Sequence, residues 1–485
     1  MSLLDNAVWD GLINTGSWAP GSAGTLDVIE PATGDVLGHV GLASGEDVHA
    51  AATRAAEAQR GWAALRPEER AAVLRRAGSL FEEYADEIQS WIIRESGAIP
   101  PKAGLETHIA ANECFDAAGL PHHPQGDVLA SDEARWSLAR RKPVGVVSVI
   151  APFNFPLILS IRAVAPALAL GNAVLLKPDP RTAVSGGVVL MRVFEEAGLP
   201  AGVLQLLPGG ADVGSAVVEA PEVNVVAFTG STRAGRAIGE TCGRLLKSAH
   251  LELGGNNAMI VLPGVDVAKA ASAAAFGSFM HQGQICMTTG RHIVHRSVYD
   301  EYVAALVEKA EHLPVGNPAT EQVALGPLID DGQTAHCAEL VEAARAAGAT
   351  IAAGGTHEGR FFKPTVITDL APNNRAWAEE IFGPVAPVIP FDTLDEAVAL
   401  ANDCDFGLSI GILGEVSQAM DLADRLDSGK IHINEQTVSD ESQAPFGGTK
   451  ASGNGTRIGG AAAALDAFTE TQWVTLRSEI ADYPF

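Results

Sequence analysis

Between residues 144 and 252 the chain alternates short apolar runs with stretches of helical periodicity, and this alternation limits the fold more than any other feature. The runs are 144–150 (VGVVSVI), 173–176 (AVLL), 203–207 (VLQLL) and 223–228 (VNVVAF). Apolar runs of this length, joined by segments of about 10 to 15 residues, spell repeated βαβ units and a parallel sheet buried on both faces. A second series follows: strand 258–262, helix 267–281, strand 292–295 and helix 298–312, with further strands near 365–367, 385–390, 408–413 and 430–433. Two sheets in 485 residues imply two large α/β domains, since one core rarely grows that far.

Two segments stand outside this pattern. Residues 121–141, ending in a basic RRK, read as a protruding hairpin, and 469–476 (TETQWVTL) as one alternating strand. Lone strands need partners, so pairing across a subunit interface is expected, with folding back on the same subunit as the alternative.

Charge narrows the partners. Lys and Arg number 33 against 59 Asp and Glu, a net charge of -26, and such a surface repels phosphate backbones and anionic lipid. Neither nucleic acid nor membrane is an expected partner, and no apolar run reaches the roughly 18 residues of a span. The five cysteines are odd in number and lack a C-x-x-C pair, which argues against disulfides or a zinc site and for a reducing cytoplasm. The N-terminus is acidic where a secretion signal is basic.

Several residues carry candidate chemistry. Cys286 follows a Gly-containing loop at the end of a helix and can serve as a nucleophile, although a lone cysteine is more often a packed small hydrophobe. Glu252 ends an apolar strand before two glycines, where burial raises its pKa toward that of a general base; a turn glutamate is the plainer alternative. Asn154, between Phe153 and Phe155 at the end of the first strand, sits where open sheets bind ligands and offers an amide N–H to an oxyanion, or else shapes a turn beside its prolines. Phe228-Thr229-Gly230-Ser231 leads from a strand into a helix containing Gly235, so Gly230 and Ser231 can meet a pyrophosphate there, or Ser231 can be an ordinary N-cap. Lys177 ends a strand at the same edge, within reach of ribose hydroxyls or as a solvated strand end.

Taken in order, these segments resemble the aldehyde dehydrogenase superfamily over nearly the whole chain. The resemblance implies a Rossmann-type cofactor domain (1–120 and 142–252), an α/β catalytic domain (253–448), a return segment (449–465), and an oligomerisation hairpin and terminal strand (121–141 and 466–485) in a homodimer or dimer of dimers. It implies Cys286 as nucleophile, Glu252 (E-L-G-G) as general base and Asn154 (N-F-P) as oxyanion donor, turning a small-molecule aldehyde into a free carboxylate. Glu380 and Phe382 fall in E-I-F-G-P, whose Glu holds the nicotinamide ribose, and P-F-G-G-T-K-A-S-G runs from Pro445 to Gly453. Further cofactor contacts are expected at Ile150, Pro152, Phe153, Lys177, Pro180, Arg181, Gly210, Gly214, Phe228 and Leu253. No metal is expected.

Two departures matter. Asn256 and Asn257 stand where many members carry a lysine after E-L-G-G, and Pro180 stands where NAD-preferring members carry a glutamate. Loss of that carboxylate, with Lys177 and Arg181 near, implies use of NAD or NADP. The stretch 431–441 (IHINEQTVSDE) is similar to the benzaldehyde and vanillin dehydrogenase branch, and Phe155, Ile158, Ile285, Met287 and Phe446 offer an apolar wall to an aromatic ring. An aliphatic aldehyde or semialdehyde is the alternative substrate, and a cofactor-free thiol esterase or an inactive scaffold the alternatives in kind.

Overall fold

The computed structural model describes residues 2–485. Its first sheet has seven strands, in the order Ser248–Glu252, Val223–Thr229, Val146–Ile150, Ala173–Lys177, Leu204–Leu206, Leu12–Asn14, Trp18–Pro20. The five from Ser248–Glu252 to Leu204–Leu206 are parallel, and the last two form an antiparallel extension at one edge. The second sheet, also seven-stranded, runs Thr350–Ala353, Thr365–Thr368, Val385–Phe391, Thr289–His295, Asn257–Val261, Ser409–Leu413, Lys430–Ile433, and only its first pair is antiparallel. The expected boundary at 252/253 falls between the last strand of one sheet and the first of the other. Helices cover both sheets, so strands such as Ala173–Lys177 are buried throughout and read as unbroken apolar runs.

The hairpin and the terminal strand are each other's partner. Thr469–Leu476 pairs antiparallel with Trp136–Pro143, which pairs with Gly126–Leu129. The two segments thus pair within the chain, eight residues of terminal strand matching the full length of the hairpin's second arm. The sheet still exposes Val128, Trp136, Trp473 and Leu476, each more than half accessible. No described helix is long and apolar enough to cross a membrane.

One buried ion pair ties the helical layer to the loop after the first strand. Lys102 and Glu106 lie on the helix Pro100–Ala117 one turn apart, fully buried and paired. Lys102 Nζ also donates to the Asn154 carbonyl at 2.7 Å and lies 4.3 Å from the Phe155 ring centre. Glu106 Oε2 accepts from the backbone N–H of Leu157 and Ile158 (3.1 and 3.3 Å), two of the orphan donors at the start of the helix Pro156–Ala169. Removing one partner of a buried pair strands the other charge. Lys102→Met should therefore lower the unfolding free energy by about 3–5 kcal/mol. Lys102→Met/Glu106→Gln should recover part of it. Urea denaturation checks both, and equal stabilities for wild type and Lys102→Met would contradict the assignment.

Candidate active site

Cys286 sits in the loop between the helix Val267–Phe279 and the strand Thr289–His295, in the second sheet's half of the molecule. Three consecutive residues of left-handed backbone precede it: His281 (φ 48°), Gln282 (φ 55°) and Gly283 (φ 67°). Two non-glycine residues in that region are strained, and the surroundings must hold them there. Gln282 does so by donating Nε2 to the Gly97 and Pro327 carbonyls (2.9 and 2.8 Å). Gly283 admits no side chain, since a Cβ would lie 2.1 Å from the Gly383 carbonyl oxygen of E-I-F-G-P.

The loop is then fixed at the cysteine itself. Asn257 Nδ2 donates to the carbonyls of Cys286 and Thr288, both at 2.8 Å, while its Oδ1 accepts from Ser409 N. A Cβ on Gly255 would meet the Cys286 carbonyl oxygen at 2.3 Å, so the second glycine of E-L-G-G permits that approach. Asn154 reaches across from the first sheet's half, its Nδ2 donating to the Gln284 carbonyl at 2.9 Å. The amide expected at an oxyanion thus lies against the Cys286 loop, and the Asn154 backbone carbonyl is held by Lys102.

Two cavities meet at Cys286 and Asn154, which line both. The first is an apolar pocket of about 220 Å³ that brings together all five expected substrate-wall residues, Phe155, Ile158, Ile285, Met287 and Phe446. Phe446 is held between two cations, Lys430 Nζ at 4.2 Å and the Arg162 guanidinium at 5.5 Å from its ring centre. A cavity of roughly 150 Å³ already takes a benzene ring, so one substituted ring fits.

The second is a cleft of about 610 Å³ at the C-terminal ends of the parallel strands, where Ile150, Lys177 and Thr229 end their strands. It gathers Pro152, Phe153, Arg181, Phe228, Gly230, Ser231, Leu253, Glu380 and Phe382 as well. Ser231 caps the fourteen-residue helix Thr232–Leu245, whose N-terminus favours a pyrophosphate. Glu380 accepts from Gly255 N at 2.9 Å, and burial raises its carboxyl to about 7. The donors, the cation and the carboxylate fit a dinucleotide. Pro180, Gly210 and Gly214 do not line this cleft: Pro180 opens the turn Pro180–Thr182, and Gly210 and Gly214 cap and enter the helix Ala211–Glu219.

Arg181 is not the open cation that sequence suggested. It donates to Asp179 (2.9 Å) and to Asp330 (2.7 Å), the cap of the helix Asp331–Ala346, and lies 4.2 Å from the Phe153 ring centre. Arg181 bridges the cleft from one half to the other.

Glu252 stands apart from both cavities at Cys286. Its backbone is locked, with its carbonyl accepting from Gly230 N and Leu253 N donating to Ser452 O, both at 3.0 Å. Its carboxylate faces a small internal cavity with Arg162, Thr229 and Phe446, and neither oxygen has a hydrogen-bond partner among the described residues. Burial pushes the Glu252 carboxyl well up, opposed by Arg457, Lys430 and Arg162. Sequence reasoning missed these cations because Arg162, Lys430 and Arg457 lie far from Glu252 along the chain and in no shared motif; only the fold places them around one carboxylate.

A thiol held between a dinucleotide-sized cleft and an apolar pocket, with an amide aimed at the same loop, defines an enzyme that oxidises through a cysteine. The chain belongs to the aldehyde dehydrogenase family, whose model matches residues 18–474. It is 62% identical to a vanillin dehydrogenase of an Amycolatopsis species over the full length of both chains, and 48% identical to a benzaldehyde dehydrogenase [NAD(+)] of Pseudomonas putida over 99% of each. Among solved structures it superposes on an NAD+ complex of an aldehyde dehydrogenase from Bacillus cereus (TM-score 0.93, 33% identity, 97% of both chains) and on an NADP dependent enzyme of E. coli (TM-score 0.94, 32% identity, 98% and 100%).

Burial also pushes the Cys286 thiol up to about 12, with Lys430 as the main opposing charge. The thiolate is the reactive form, so a raised pKa leaves it scarce at neutral pH and increasing as pH rises. Alkylation of Cys286 by iodoacetamide should therefore accelerate about tenfold per pH unit between pH 7 and 9. Lys430→Met should slow it at every pH. A plateau in wild type below pH 8 would contradict a raised thiol.

Proposed function

We propose that this chain oxidises aromatic aldehydes of the benzaldehyde and vanillin type to free carboxylates with NAD or NADP. The observation that carries the reading is the single-ring apolar pocket opening on Cys286 opposite the dinucleotide cleft. The vanillin and benzaldehyde dehydrogenases among its relatives support it.

In this scheme the Cys286 thiolate attacks the aldehyde carbon, and a C–S bond forms as the carbonyl π pair moves to oxygen. Asn154 Nδ2 and the Cys286 backbone N–H stabilise that oxyanion, with Lys102 and the Gln284 carbonyl holding Asn154 in place. A nicotinamide held in the cleft by Lys177, Ser231 and Glu380 would supply the hydride acceptor, so that loss of hydride from the former aldehyde carbon would leave a thioester on Cys286. Glu252 then turns out of its internal cavity, takes a proton from water as the water oxygen bonds to the acyl carbon, and Cys286 leaves as thiolate.

Both cofactors are proposed because Pro180 stands in place of a glutamate, Lys177 lines the cleft, and the Asp179 carboxylate there is already paired with Arg181. Asp179 and Asp330 offset Arg181, so the preference is set by whether that bridge opens. Two copies would bury the exposed Trp136, Trp473 and Leu476 of the three-stranded sheet, which supports a homodimer or dimer of dimers. The five free cysteines suit a reducing cytoplasm.

With benzaldehyde or vanillin and NAD, reduced-cofactor absorbance should rise in wild type and not in Cys286→Ala. Glu252→Gln should keep a first-turnover burst of one equivalent while steady-state turnover falls about 10²–10⁴-fold, because thioester forms but water is not activated. A preference for a medium-chain aliphatic aldehyde would refute the aromatic assignment. A kcat/KM ratio above about a thousandfold in favour of NAD would refute dual cofactor use, exceeding what one charge of a few kcal/mol supplies.

A further inference from the structure

The wall of the aldehyde pocket is apolar except for the floor residues Asn154 and Cys286 and one strip, Gln436, Ser439 and Asp440. Asp440 is the anomaly, because a carboxylate in an apolar ligand pocket is unfavourable without a task. Its Oδ2 accepts from Arg162 Nη1 at 2.7 Å. Pairing with Arg162 occupies only one of its oxygens, and the same guanidinium is also paired with the buried Glu113 (Nε to Oε1, 2.9 Å). Asp440 Oδ1 receives no donor from any described residue, and 17% of the side chain stays accessible while the residue lines the pocket.

Resting on the aromatic-aldehyde reading, we infer that Asp440 is a specificity-determining residue whose Oδ1 accepts a hydrogen bond from a hydroxyl on the substrate ring. The preferred substrates are then hydroxylated benzaldehydes bound as neutral phenols. Two neighbours exclude the other donors. Arg162 contacts Asp440, and Lys430 donates to the adjacent Ser439 carbonyl at 3.3 Å, so a cationic ammonium would face two cations. A phenolate would face the carboxylate itself and has no proton to give. Arg162, whose guanidinium also lies 5.5 Å from the Phe446 ring centre, fixes the acceptor relative to the ring wall. The geometry is that of a site built around a donor, which discriminates against an analogue lacking the donor more strongly than an apolar pocket can.

The test is the ratio of kcat/KM for 3- or 4-hydroxybenzaldehyde, whichever is better, to that for benzaldehyde, followed as reduced cofactor in wild type and two variants. Dividing by the wild-type ratio removes the intrinsic reactivity of each aldehyde. Asp440→Ala should lower the ratio about ten- to a hundredfold, the range for a hydrogen bond to a charged acceptor. Asp440→Asn keeps the side chain's shape and guards against misfolding; it should lower the ratio about fivefold, since a neutral amide binds the hydroxyl less strongly. Ratios equal to wild type in both variants overturn the inference while leaving the aldehyde dehydrogenase reading intact. A wild-type protein that oxidises none of the three aldehydes overturns both.

Discussion

The Cys286 loop is where the two halves of the molecule are joined, and its backbone is held by hydrogen bonds that leave almost no slack. Asn257 grips the Cys286 and Thr288 carbonyls, Asn154 grips that of Gln284, and Gln282 anchors the left-handed turn before them to Gly97 and Pro327. Gly255 and Gly283 complete the arrangement by being small: each would drive a Cβ into a carbonyl oxygen at little more than 2 Å. Strain in two consecutive left-handed side-chain-bearing residues persists only because of these restraints. The loop is therefore pre-organised, and an oxyanion donor fixed before substrate arrives loses no reorganisation energy when charge develops.

The electrostatics follow from the same burial. Burial disfavours the charged forms of both the Cys286 thiol and the Glu252 carboxyl, so both pKa values are raised. Lys430 opposes both shifts, and Arg162 and Arg457 add to its effect at Glu252. Three cations beside one carboxyl keep it within reach of ionisation without pairing it, since an ion pair at hydrogen-bond distance would hold Glu252 in its cavity. The Lys430 and Arg162 cations also both contact the Phe446 ring, so the charges beside Glu252 help shape the apolar pocket wall too.

Much of this was legible in the sequence, for definite reasons. Parallel strands buried on both faces must be continuously apolar, so 144–150, 173–176 and 223–228 announced themselves, and 430–433 matches its strand end to end. The edge strands Leu12–Asn14 and Trp18–Pro20 escaped notice because three residues carry no periodicity. Cys286, Asn154 and the pocket wall come together as expected, since motifs at strand ends converge on one crevice. The pairing of Arg181 with two aspartates was hidden, because Asp330 lies 149 residues away. Asn256 and Asn257 looked like a mere departure from a lysine, whereas Asn256 holds the Trp377 carbonyl and Asn257 holds the nucleophile.

The Arg181 bridge also bears on how the two halves work together. Asp179 and Asp330 belong to elements on opposite sides of the cofactor cleft, and Phe153 beneath the guanidinium packs edge-on against Phe382 at 5.9 Å across the same divide. Phe153 precedes the oxyanion amide, and Phe382 precedes the Gly383 that receives Gly283. Contacts at the cofactor cleft are thus continuous, through neighbouring residues, with those that shape the nucleophile turn. The same two segments, 152–154 and 380–383, thus shape both the cofactor cleft and the turn before Cys286.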